Sequence, residues 1–349
     1  MSVPHLGVIV VTFNSADVIC DCLESLFSAT GVKLTIVVVD NASRDETLST
    51  LRAWASGAAW PAAADLPFAL APVQKPISLD ASTDVCGHHV KLIETGINAG
   101  FAAGVNTGLA YLAADPKLDR FWILNPDVVV APTTPAAFAT APQPVGGFAL
   151  MGGRALYLDQ PDTIQIDGGT LDCRTGVTGN LGLGAKHAAT PPPLAEKLAF
   201  ITGASMVASR QFYEAAGPLP EDYFLYYEEV DWALRRRDLP LAYCPHAVVY
   251  HRAGTAIGSP TIGRPASPFS LYFKHRGRIR FIRRHFPRSL PFALAYSVAK
   301  AGQLLSKGYP VEAWTILTAS LGFAPSAAIR SRLSPEAAKL AFRVRNAPV

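Results

Sequence analysis

Two apolar runs near the N-terminus constrain the fold of this chain more than any other feature. Residues 6–11 and 34–39 are almost entirely aliphatic and rich in β-branched side chains, which is typical of parallel strands covered on both faces. Between them, apolar residues recur at helical spacing. These residues are Val18, Ile19, Cys22, Leu23, Leu26 and Phe27. The pattern predicts a βαβ unit at the start of a layered α/β domain.

Strand and helix patterns continue to alternate after this unit. Ser43 and Glu46 have the spacing of a capping box, and the helix predicted after them has an apolar face of Leu48, Leu51 and Trp54. The other elements predicted in this part are a strand at 90–93, a helix at 100–112 and a strand at 121–124. Such alternation predicts an α/β fold with a doubly wound, mostly parallel sheet.

The pattern changes after residue 130. Residues 146–178 are rich in glycine and predict irregular hairpins. The elements predicted next are a strand at 198–208, a short helix at 211–216, a helix at 228–238 and a strand at 241–250. From Ser267 the pattern is helical. We therefore divide the chain into a main domain at 1–265, with halves at 1–130 and 131–265, and a helical C-terminal extension at 266–349.

Composition and charge exclude several classes of protein. The chain of 349 residues has a net charge of +4, too small to indicate a nucleic-acid partner. Its five cysteines are scattered and odd in number, which argues for a reducing compartment. No basic region precedes the first apolar run, and Lys300 and Gln303 interrupt the apolar run at 290–305. We therefore expect a cytoplasmic protein without a membrane-spanning helix.

Positive charge is concentrated between Lys274 and Arg288. Such a run could hold a pyrophosphate, lie near an anionic membrane or form a solvated helix face. We favour the solvated face for the run as a whole and a phosphate contact for Arg276. The C-terminal helices would suit a peripheral membrane position or a homodimer interface equally well.

Polar side chains follow the strands predicted in the N-terminal half, at the edge where open α/β sheets bind ligands. Asp127 follows the strand at 121–124 and is a candidate ligand for a hard divalent cation. Asp40 could accept a hydrogen bond from the ring N–H of a uracil- or thymine-type base, or could form a turn with Asn41. The residues that follow the first strand, at the same edge, are Thr12, Phe13 and Asn14.

Glycine recurs every four residues in the segment 98–108. Gly100, Gly104 and Gly108 would form one stripe of a helix, which permits a close approach to a strand or to a ligand. The spacing differs from that of a dinucleotide-binding fingerprint. Asn98 could cap this helix.

Three acidic residues, Glu228, Glu229 and Asp231, follow an aromatic run at 223–227. If Glu229 lies at a helix N-terminus, the helix dipole favours its ionised form, and an ionised carboxylate near an acceptor hydroxyl can act as general base. Glu228 and Asp231 share a helix face and could bind the acceptor or neighbouring cations. The alternative for all three is simple charge complementarity with the helix N-terminus. His251 could ligate a metal, contact a phosphate or be structural.

Seven segments in a fixed order resemble the motifs of glycosyltransferase family 2, which has the GT-A fold, and in particular its rhamnosyltransferase-like branch. Together they extend over roughly residues 8–286. The segments are VIVVTFNS at 8–15, VVVDNASRDET at 37–47, NAGFAAGVNTGL at 98–109, WILNPDVVV at 122–130, GASMVASR at 203–210, YYEEVDWALR at 226–235 and HRAG at 251–254. Each is modest alone, and their shared order carries the resemblance.

The resemblance implies roles for the candidate residues. Asp40 would read the nucleobase. Asp127 would occupy the last position of the family's DxD-like metal motif, whose first position here is Asn125, and His251 would complete the metal or diphosphate site. With the phosphate contact expected of Arg276, the predicted donor-binding residues are Thr12, Phe13, Asn14, Asp40, Asn41, Asn98, Gly100, Phe101, Asn106, Asn125 and Arg276.

The catalytic step that the resemblance implies is a single displacement with inversion at the anomeric carbon, which needs one base and no enzyme nucleophile. Glu229 stands where the family usually has the aspartate of a Glu-Asp pair, so it is the expected base, with Glu228 as the alternative. Asp231 is the third expected catalytic residue. In this interpretation, residues 1–130 bind the nucleotide and residues 131–265 bind the acceptor.

The implied activity is that of a metal-dependent hexosyltransferase that uses a nucleoside-diphosphate sugar and Mg2+ or Mn2+. The branch suggests dTDP-L-rhamnose as donor, with UDP-sugars as the main rivals. The expected acceptor is a saccharide or a lipid-linked saccharide in cell-surface polysaccharide synthesis, at the inner face of the plasma membrane. No nucleic-acid partner is expected.

Two other classes of protein fit the sequence less well. A catalytically silent sugar-nucleotide-binding protein would have no need of Asp127, Glu229 and His251, so their presence argues against it. A nucleotidyltransferase would carry a glycine-rich, basic phosphate loop after its first strand, and residues 12–15 do not form one.

Overall fold

The structure is a computed structural model that describes residues 3–59, 66–80, 87–252 and 265–343. The N-terminal half alternates strands and helices, as the apolar runs predict. Its elements are β1 (His5–Thr12), α1 (Ile19–Phe27), β2 (Lys33–Asp40), α2 (Thr47–Ser56), β3 (His88–Glu94), α3 (Phe101–Ala113) and β4 (Arg120–Leu124). β1 lies between β2 and β4, and β2 pairs with β3, all in parallel. The four strands and three helices predicted for this half are confirmed.

Strands of the second half join the same sheet in both directions. Its elements are β5 (Val128–Val130), α4 (Thr134–Thr140), β6 (Leu150–Tyr157), β7 (Ile164–Ile166), β8 (Gly169–Leu171), β9 (Thr178–Asn180), β10 (Ser205–Ser209), α5 (Arg210–Ala216), α6 (Glu228–Leu234) and β11 (Ala242–His251). The sheet order is β3-β2-β1-β4-β10-β6-β11-β5, with β7 paired to β6. β10 runs antiparallel between β4 and β6, and β5 and β7 are antiparallel to their neighbours. The sheet is therefore mixed, with most of its described strands in one direction.

Two predicted boundaries in this half are wrong. The strand predicted at 198–208 is shorter, because a turn precedes Ser205 and only Ser205–Ser209 pair in the sheet. The helix predicted at 228–238 ends at Leu234. Arg237 then takes a left-handed conformation with φ of 52°, which an α-helix does not accommodate.

Helices cover both faces of the sheet, and each face has its own core. Side chains of β1 alternate between the two cores, as a buried strand requires. Val8 and Val10 join the cluster under α1 and α2, while Ile9 and Val11 join the cluster under α3. The doubly wound arrangement is confirmed by this division.

The glycine stripe of α3 brings that helix close to β1. A Cβ added at Gly104 would lie 2.6 Å from a Val11 methyl, and one added at Gly108 would lie 2.5 Å from an Ile9 methyl. Both distances are shorter than carbon atoms tolerate. At these two positions, glycine serves helix–sheet packing, which was one of the two predicted roles.

The described part of the C-terminal extension contains five α-helices. They are α7 (Pro268–His285), α8 (Leu290–Ser306), α9 (Pro310–Leu321), α10 (Ala327–Arg330) and α11 (Pro335–Ala341). The second half of α7 contributes Ile279, Phe281 and Ile282 to the core that α3 shares with α6. Within the described residues, no helix is long and apolar enough to cross a membrane.

Candidate functional site

The carboxyl ends of β1 and β2 meet in register, with Thr12 opposite Asp40. The Thr12 hydroxyl donates to Asp40 Oδ1 over 3.1 Å, and the backbone N–H of Ser43 donates to Asp40 Oδ2 over 3.0 Å. Asp40 is only 1% exposed. Its carboxylate therefore fixes the turn after β2, and each of its oxygens retains lone-pair capacity for one further donor.

The loops after β1 and β2 hold each other. Ser43 Oγ accepts from the backbone N–H of Asn14, and Asn14 Oδ1 accepts from the backbone N–H of Arg44, each over 2.9 Å. Phe13 is half-buried beside them. The predicted capping box is wrong, because the Ser43 hydroxyl accepts from the neighbouring loop and α2 begins at Thr47 without a side-chain cap.

Asn41 ties the end of β2 to the start of α3. Its Nδ2 donates to Asn98 Oδ1 over 3.2 Å and to the Gly100 carbonyl over 2.9 Å. Asn98 Oδ1 also accepts from the Gly100 N–H over 3.0 Å. Asn98 thus closes the turn before α3 and does not cap the helix, so the predicted cap is wrong. Both asparagines are buried and support the loops at the carboxyl edge of the sheet.

The two remaining predicted residues of α3 contact the second half of the protein. The Phe101 ring packs on Gly203, where an added Cβ would lie 3.3 Å from the ring. Asn106 Nδ2 donates to the Leu219 carbonyl over 3.0 Å and to Glu221 Oε1 over 2.8 Å, while its Oδ1 accepts from the Leu219 N–H. Asn106 therefore anchors the loop that leads to α6. The structure does not support its predicted donor contact.

The segment before α6 carries three non-glycine residues in the left-handed region. Phe224, Tyr226 and Tyr227 have φ of 67°, 64° and 75°, a conformation that costs about 1–2 kcal/mol per residue. The Phe224 carbonyl accepts from the Phe101 N–H over 3.0 Å, and a Cβ at Gly100 would lie 2.5 Å from that oxygen. Strain of this kind concentrates at functional sites. The aromatic run in the sequence gives no sign of it.

Glu228 and Glu229 open α6 and differ in access to solvent. Glu228 is 3% exposed, and its Oε2 has no hydrogen-bond partner among the described residues. Burial, reinforced by the charge of Glu229, raises the pKa of Glu228 well above its usual range, which favours the protonated form. Glu229 is half-buried. Burial raises its pKa as well, but backbone N–H groups of α6 and the charge of Lys274 oppose the shift. Glu229 is therefore the accessible carboxylate of the pair.

Asp231 lies in a buried ionic cluster, where its contacts are structural, and its catalytic role stays a prediction. It is fully buried. Tyr223 and Arg284 donate to its Oδ2 over 2.8 Å and 2.7 Å, and Arg235 donates to Oδ1 over 2.8 Å. His285 Nε2 lies 3.0 Å from Oδ2. Burial alone would raise the Asp231 pKa, but these hydrogen bonds and charges hold it well below its usual range. The carboxylate joins α6 to α7.

Arg276 of α7 contacts the end of α11. It donates to the carbonyls of Ala341 and Arg343 over 2.5 Å and 3.0 Å. Both hydrogen bonds give Arg276 a structural role that the sequence did not indicate, and its phosphate contact stays a prediction.

Lys274 lies on the face of α7 that meets the strained segment. Ser270 Oγ, one turn before it, lies 2.7 Å from the Tyr226 hydroxyl, and a Cβ at Gly277 would lie 2.9 Å from the Tyr226 carbonyl. Lys274 keeps solvent access, although the protein around it lowers its pKa, against the charge of Glu229. Lys274 is therefore a solvent-accessible cation whose charge acts on Glu229. The signal in the sequence was the spacing of Ser270, Lys274 and Gly277.

Asp127 and His251 meet where β4 and β11 end. Asp127 Oδ1 lies 3.1 Å from His251 Nε2, and His251 Nδ1 lies 2.7 Å from Gln165 Oε1. An amide oxygen can only accept, so Nδ1 carries a proton and Nε2 faces the carboxylate. Asn125, two residues before Asp127, donates its N–H to the Ala204 carbonyl. Sequence reasoning missed Gln165, which lies on the short strand β7.

This pair fits a divalent cation. Neutral His251, with its proton on Nδ1, would direct the Nε2 lone pair at the Asp127 carboxylate, an arrangement that a shared cation or a proton stabilises. Two ligands each about 2.1 Å from one cation and at right angles are about 3 Å apart, which matches the observed separation. The described residues contain no cluster of three or more His, Cys, Asp or Glu side chains placed for a metal. Donor phosphates and water would supply the other ligands.

Comparisons with known proteins test the resemblance that the sequence motifs suggest. Residues 7–62 match the family model described as glycosyl transferase family 2. The resemblance to glycosyltransferase family 2 is confirmed. The low-salt glycan biosynthesis hexosyltransferase Agl10 of Haloferax volcanii is 25% identical over 235 residues, or 66% of this chain. The matched part is 61% of that relative, so the chain spans less than two thirds of its length.

Solved structures show the same fold at low sequence identity. A mannosyltransferase from Pyrobaculum calidifontis in complex with GDP-Man and Mn2+ aligns with a TM-score of 0.50 and 19% identity, over 92% of this chain and 86% of its own. GalNAc-T7 with UDP, GalNAc and Mn2+ aligns with a TM-score of 0.54 and 13% identity, over 95% of this chain and 58% of its own. S. aureus TarS 1–349 in complex with UDP-GlcNAc aligns with a TM-score of 0.50 and 14% identity, over 94% of this chain and 83% of its own. The predicted GT-A-type fold is confirmed.

Proposed function

We propose that this protein transfers a glycosyl group from a nucleoside-diphosphate sugar to a hydroxyl acceptor, with a divalent cation. The observation that carries the proposal is the Asp127–His251 pair at one sheet edge, 3.1 Å apart and oriented toward each other. The same edge is shaped by Thr12 and Asp40, and Glu229 opens a helix beside a strained segment. Such a transfer needs a cation site for the diphosphate, a binding site for the nucleoside and a general base for the acceptor hydroxyl.

The nucleoside would lie over the ends of β1 and β2. Asp40 is held by Thr12 and Ser43, and one free lone pair on its carboxylate would accept the ring N–H of a base. Phe13 and Asn14 line the same loop. The structural neighbours were solved with GDP-Man, UDP and UDP-GlcNAc, which supports a nucleotide-sugar donor.

The cation would be Mg2+ or Mn2+, held by Asp127 and His251. When bound, it would neutralise the charge that grows on the leaving diphosphate. Gln165 fixes the ring orientation and the tautomer of His251, as groups behind metal-bound histidines commonly do. Two of the structural neighbours, the mannosyltransferase and GalNAc-T7, were solved with Mn2+.

Glu229 would remove the proton from the attacking acceptor hydroxyl. Burial raises the pKa of Glu229 toward the range of a general base, and backbone N–H groups and the charge of Lys274 limit the rise. Glu229 also retains the solvent access that an acceptor requires. Glu228 is buried and favours its protonated form, so it would support the turn rather than act as base. One base and no enzyme nucleophile implies inversion at the anomeric carbon.

The finer specificity follows only from the branch resemblance. On that basis the donor is dTDP-L-rhamnose, with UDP-sugars as the main rivals. The acceptor would be a saccharide or a lipid-linked saccharide in the synthesis of a cell-surface polysaccharide, at the cytoplasmic face of the membrane. The relative's printed name, a hexosyltransferase of glycan biosynthesis, supports the class of reaction.

Release of nucleoside diphosphate from a panel of donors, with Mn2+ and an acceptor mixture, tests this proposal. We expect release with one or two donors, and a loss of about a hundredfold or more in Asp127→Asn and in Glu229→Gln. Asp238→Asn and Glu196→Gln change exposed carboxylates elsewhere and are the matched controls. Full activity in both site variants would refute the assignment. Tight donor binding without release, for every acceptor tested, would favour a silent binding protein.

A further inference from the structure

Helices α8 and α9 expose apolar side chains along one side of each helix. The exposed fractions of the large residues on these sides lie between 49% and 68%. They are Phe292, Val298 and Leu305 on α8 and Val311, Trp314 and Leu321 on α9, and we call these six residues the outer face. Smaller apolar residues complete the exposed side of α8. These are Ala295, Ala299 and Gly302.

The opposite sides of the two helices are already buried. Ala301 and Leu304 of α8 pack with Ala313 and Ile316 of α9 and with Leu271 of α7. Each helix is therefore apolar toward the protein and apolar away from it. A helix of this kind normally has a partner on both sides, and a contiguous exposed apolar patch marks an interaction site.

The outer face has more cations than carboxylates at its borders. The charged residues of α8, of α9 and of the turn between them are Lys300, Lys307 and Glu312. Beside the N-terminus of α8, the Arg174 guanidinium lies 4.6 Å from the centre of the Phe292 ring. Lys300 lies in the second half of α8, and Lys307 directly follows its C-terminus.

We propose that the outer face docks on an anionic lipid surface. The apolar side chains would enter the boundary between headgroups and acyl chains, where Trp and Phe are favoured. Arg174, Lys300 and Lys307 would lie at the level of the lipid phosphates, and each cation near such a surface contributes about 1 kcal/mol. The docking does not depend on the transferase reaction.

A second copy of the chain fits this surface less well. A two-fold interface places the same patch of both copies face to face, so the cations at both ends of α8 would approach cations of the partner or lie at the rim without anions. An anionic lipid surface satisfies the apolar area and the charge together.

Co-sedimentation of the full-length protein with vesicles tests the inference. We expect binding to phosphatidylcholine vesicles that contain about one third phosphatidylglycerol, and binding weaker by about tenfold or more to phosphatidylcholine alone or in high salt. The double variant V298S/W314S should bind the anionic vesicles about tenfold more weakly or worse. L183S/L194S removes two equally exposed apolar side chains elsewhere and should bind like the wild type. Equal melting temperatures would show that both variants are folded.

Brominated lipids give a second readout, because they quench tryptophan at the acyl boundary. Quenching on vesicle binding should fall in Trp314→Phe, which retains an aromatic ring for docking. Vesicle binding that is the same in both double variants would overturn the inference. A dimer in solution that V298S/W314S dissociates, without vesicle binding by the wild type, would also overturn it and assign the face to a second copy.

Discussion

At the scale of single residues, the Asp127–His251 pair is oriented by a third residue, Gln165. Gln165 Oε1 lies 2.7 Å from His251 Nδ1, and Gln165 is buried on β7. It selects the tautomer with the proton on Nδ1, which leaves the Nε2 lone pair for the cation that we propose. The carboxylate and imidazole are conspicuous in the sequence, whereas a glutamine on a strand of three residues is not.

We expect Gln165→Leu to weaken Mn2+ binding by about tenfold to a hundredfold. The leucine keeps the volume of the side chain but cannot accept the Nδ1 proton, so His251 can turn or change tautomer. Mn2+ affinity, measured by electron paramagnetic resonance in the presence of nucleoside diphosphate, reports the effect without turnover. Gln143→Leu, at an exposed position, should not change it. Unchanged affinity in Gln165→Leu would show that Gln165 does not position the ligand.

The pH profile should identify Glu229 as the base. Burial raises its pKa above the usual value of about 4.3, so kcat/KM should fall as the pH drops through the raised pKa. Lys274→Met removes a charge that opposes the shift, so the acidic limb should move to higher pH. Lys339→Met, on an exposed part of α11, should leave the profile in place. An acidic limb that does not move in Lys274→Met would contradict the coupling.

At the scale of elements, α6 is constrained by a strained segment before its first residue and by ion pairs of Asp231. Three left-handed residues precede it, and Asp231 joins it to α7 through Arg284 and His285. Both features constrain the position of α6, in whose first turn Glu229 lies. Neither is visible in the order of the elements along the chain.

Gly100→Ala should disturb the strained segment. The residue has φ of 99°, and a Cβ there would lie 2.5 Å from the Phe224 carbonyl. We expect turnover to fall by about tenfold or more, as misplacement of a catalytic group implies. Gly146→Ala has a similar φ of 88° but open space around the Cβ, so it separates the backbone cost of alanine from the collision. Equal effects of both variants on turnover would contradict a role for the contact.

Asp231→Asn should lower stability rather than chemistry. Removal of one partner from a buried ionic cluster costs about 2–4 kcal/mol, at the lower end because Arg235 and Arg284 keep some contact with solvent. The pKa of Asp231 is depressed in the folded state, so its contribution is present above the unfolded value of about 3.9 and is lost as the pH falls below it. Urea unfolding at neutral and acidic pH should show a difference from wild type that shrinks in acid.

Asp238→Asn is the control for this prediction, because Asp238 is exposed just after α6. It should change the free energy of unfolding by no more than about 0.5 kcal/mol. A normal unfolding free energy in Asp231→Asn, together with a loss of turnover, would support the catalytic role that the sequence suggested.

At the scale of the whole molecule, the C-terminal helices are part of the folding unit. Ile279, Phe281 and Ile282 of α7 share a core with Trp232 of α6 and Leu109 of α3. The predicted boundary at residue 265 marks a change in the sequence pattern, but residues on both sides of it share one core. It is untested as a domain boundary.

A chain that ends at residue 265 should fail to fold cooperatively. Loss of α7 exposes the core of α3 and α6. It also leaves Asp231 with only Arg235 and Tyr223 as partners, because Arg284 and His285 are removed. Solubility and the cooperativity of thermal unfolding would report this. A chain that ends at Arg343 retains all five helices and should unfold like the full chain. A sharp transition in the shorter chain would show that the main domain is independent.

The sequence by itself determined the sheet, the order of its elements and the acidic edge. Continuous β-branched runs and helical spacing are local properties, and a strand that ends in Thr12 or Asp40 can place it only at a carboxyl edge. Only the tertiary structure decided which polar side chains remain accessible. Asn106, Asp231 and Arg276 form hydrogen bonds with segments more than a hundred residues away or with a separate helix, and no local pattern encodes such partners. The same packing paired Gln165 with His251 and left Glu229, rather than Glu228, open to solvent.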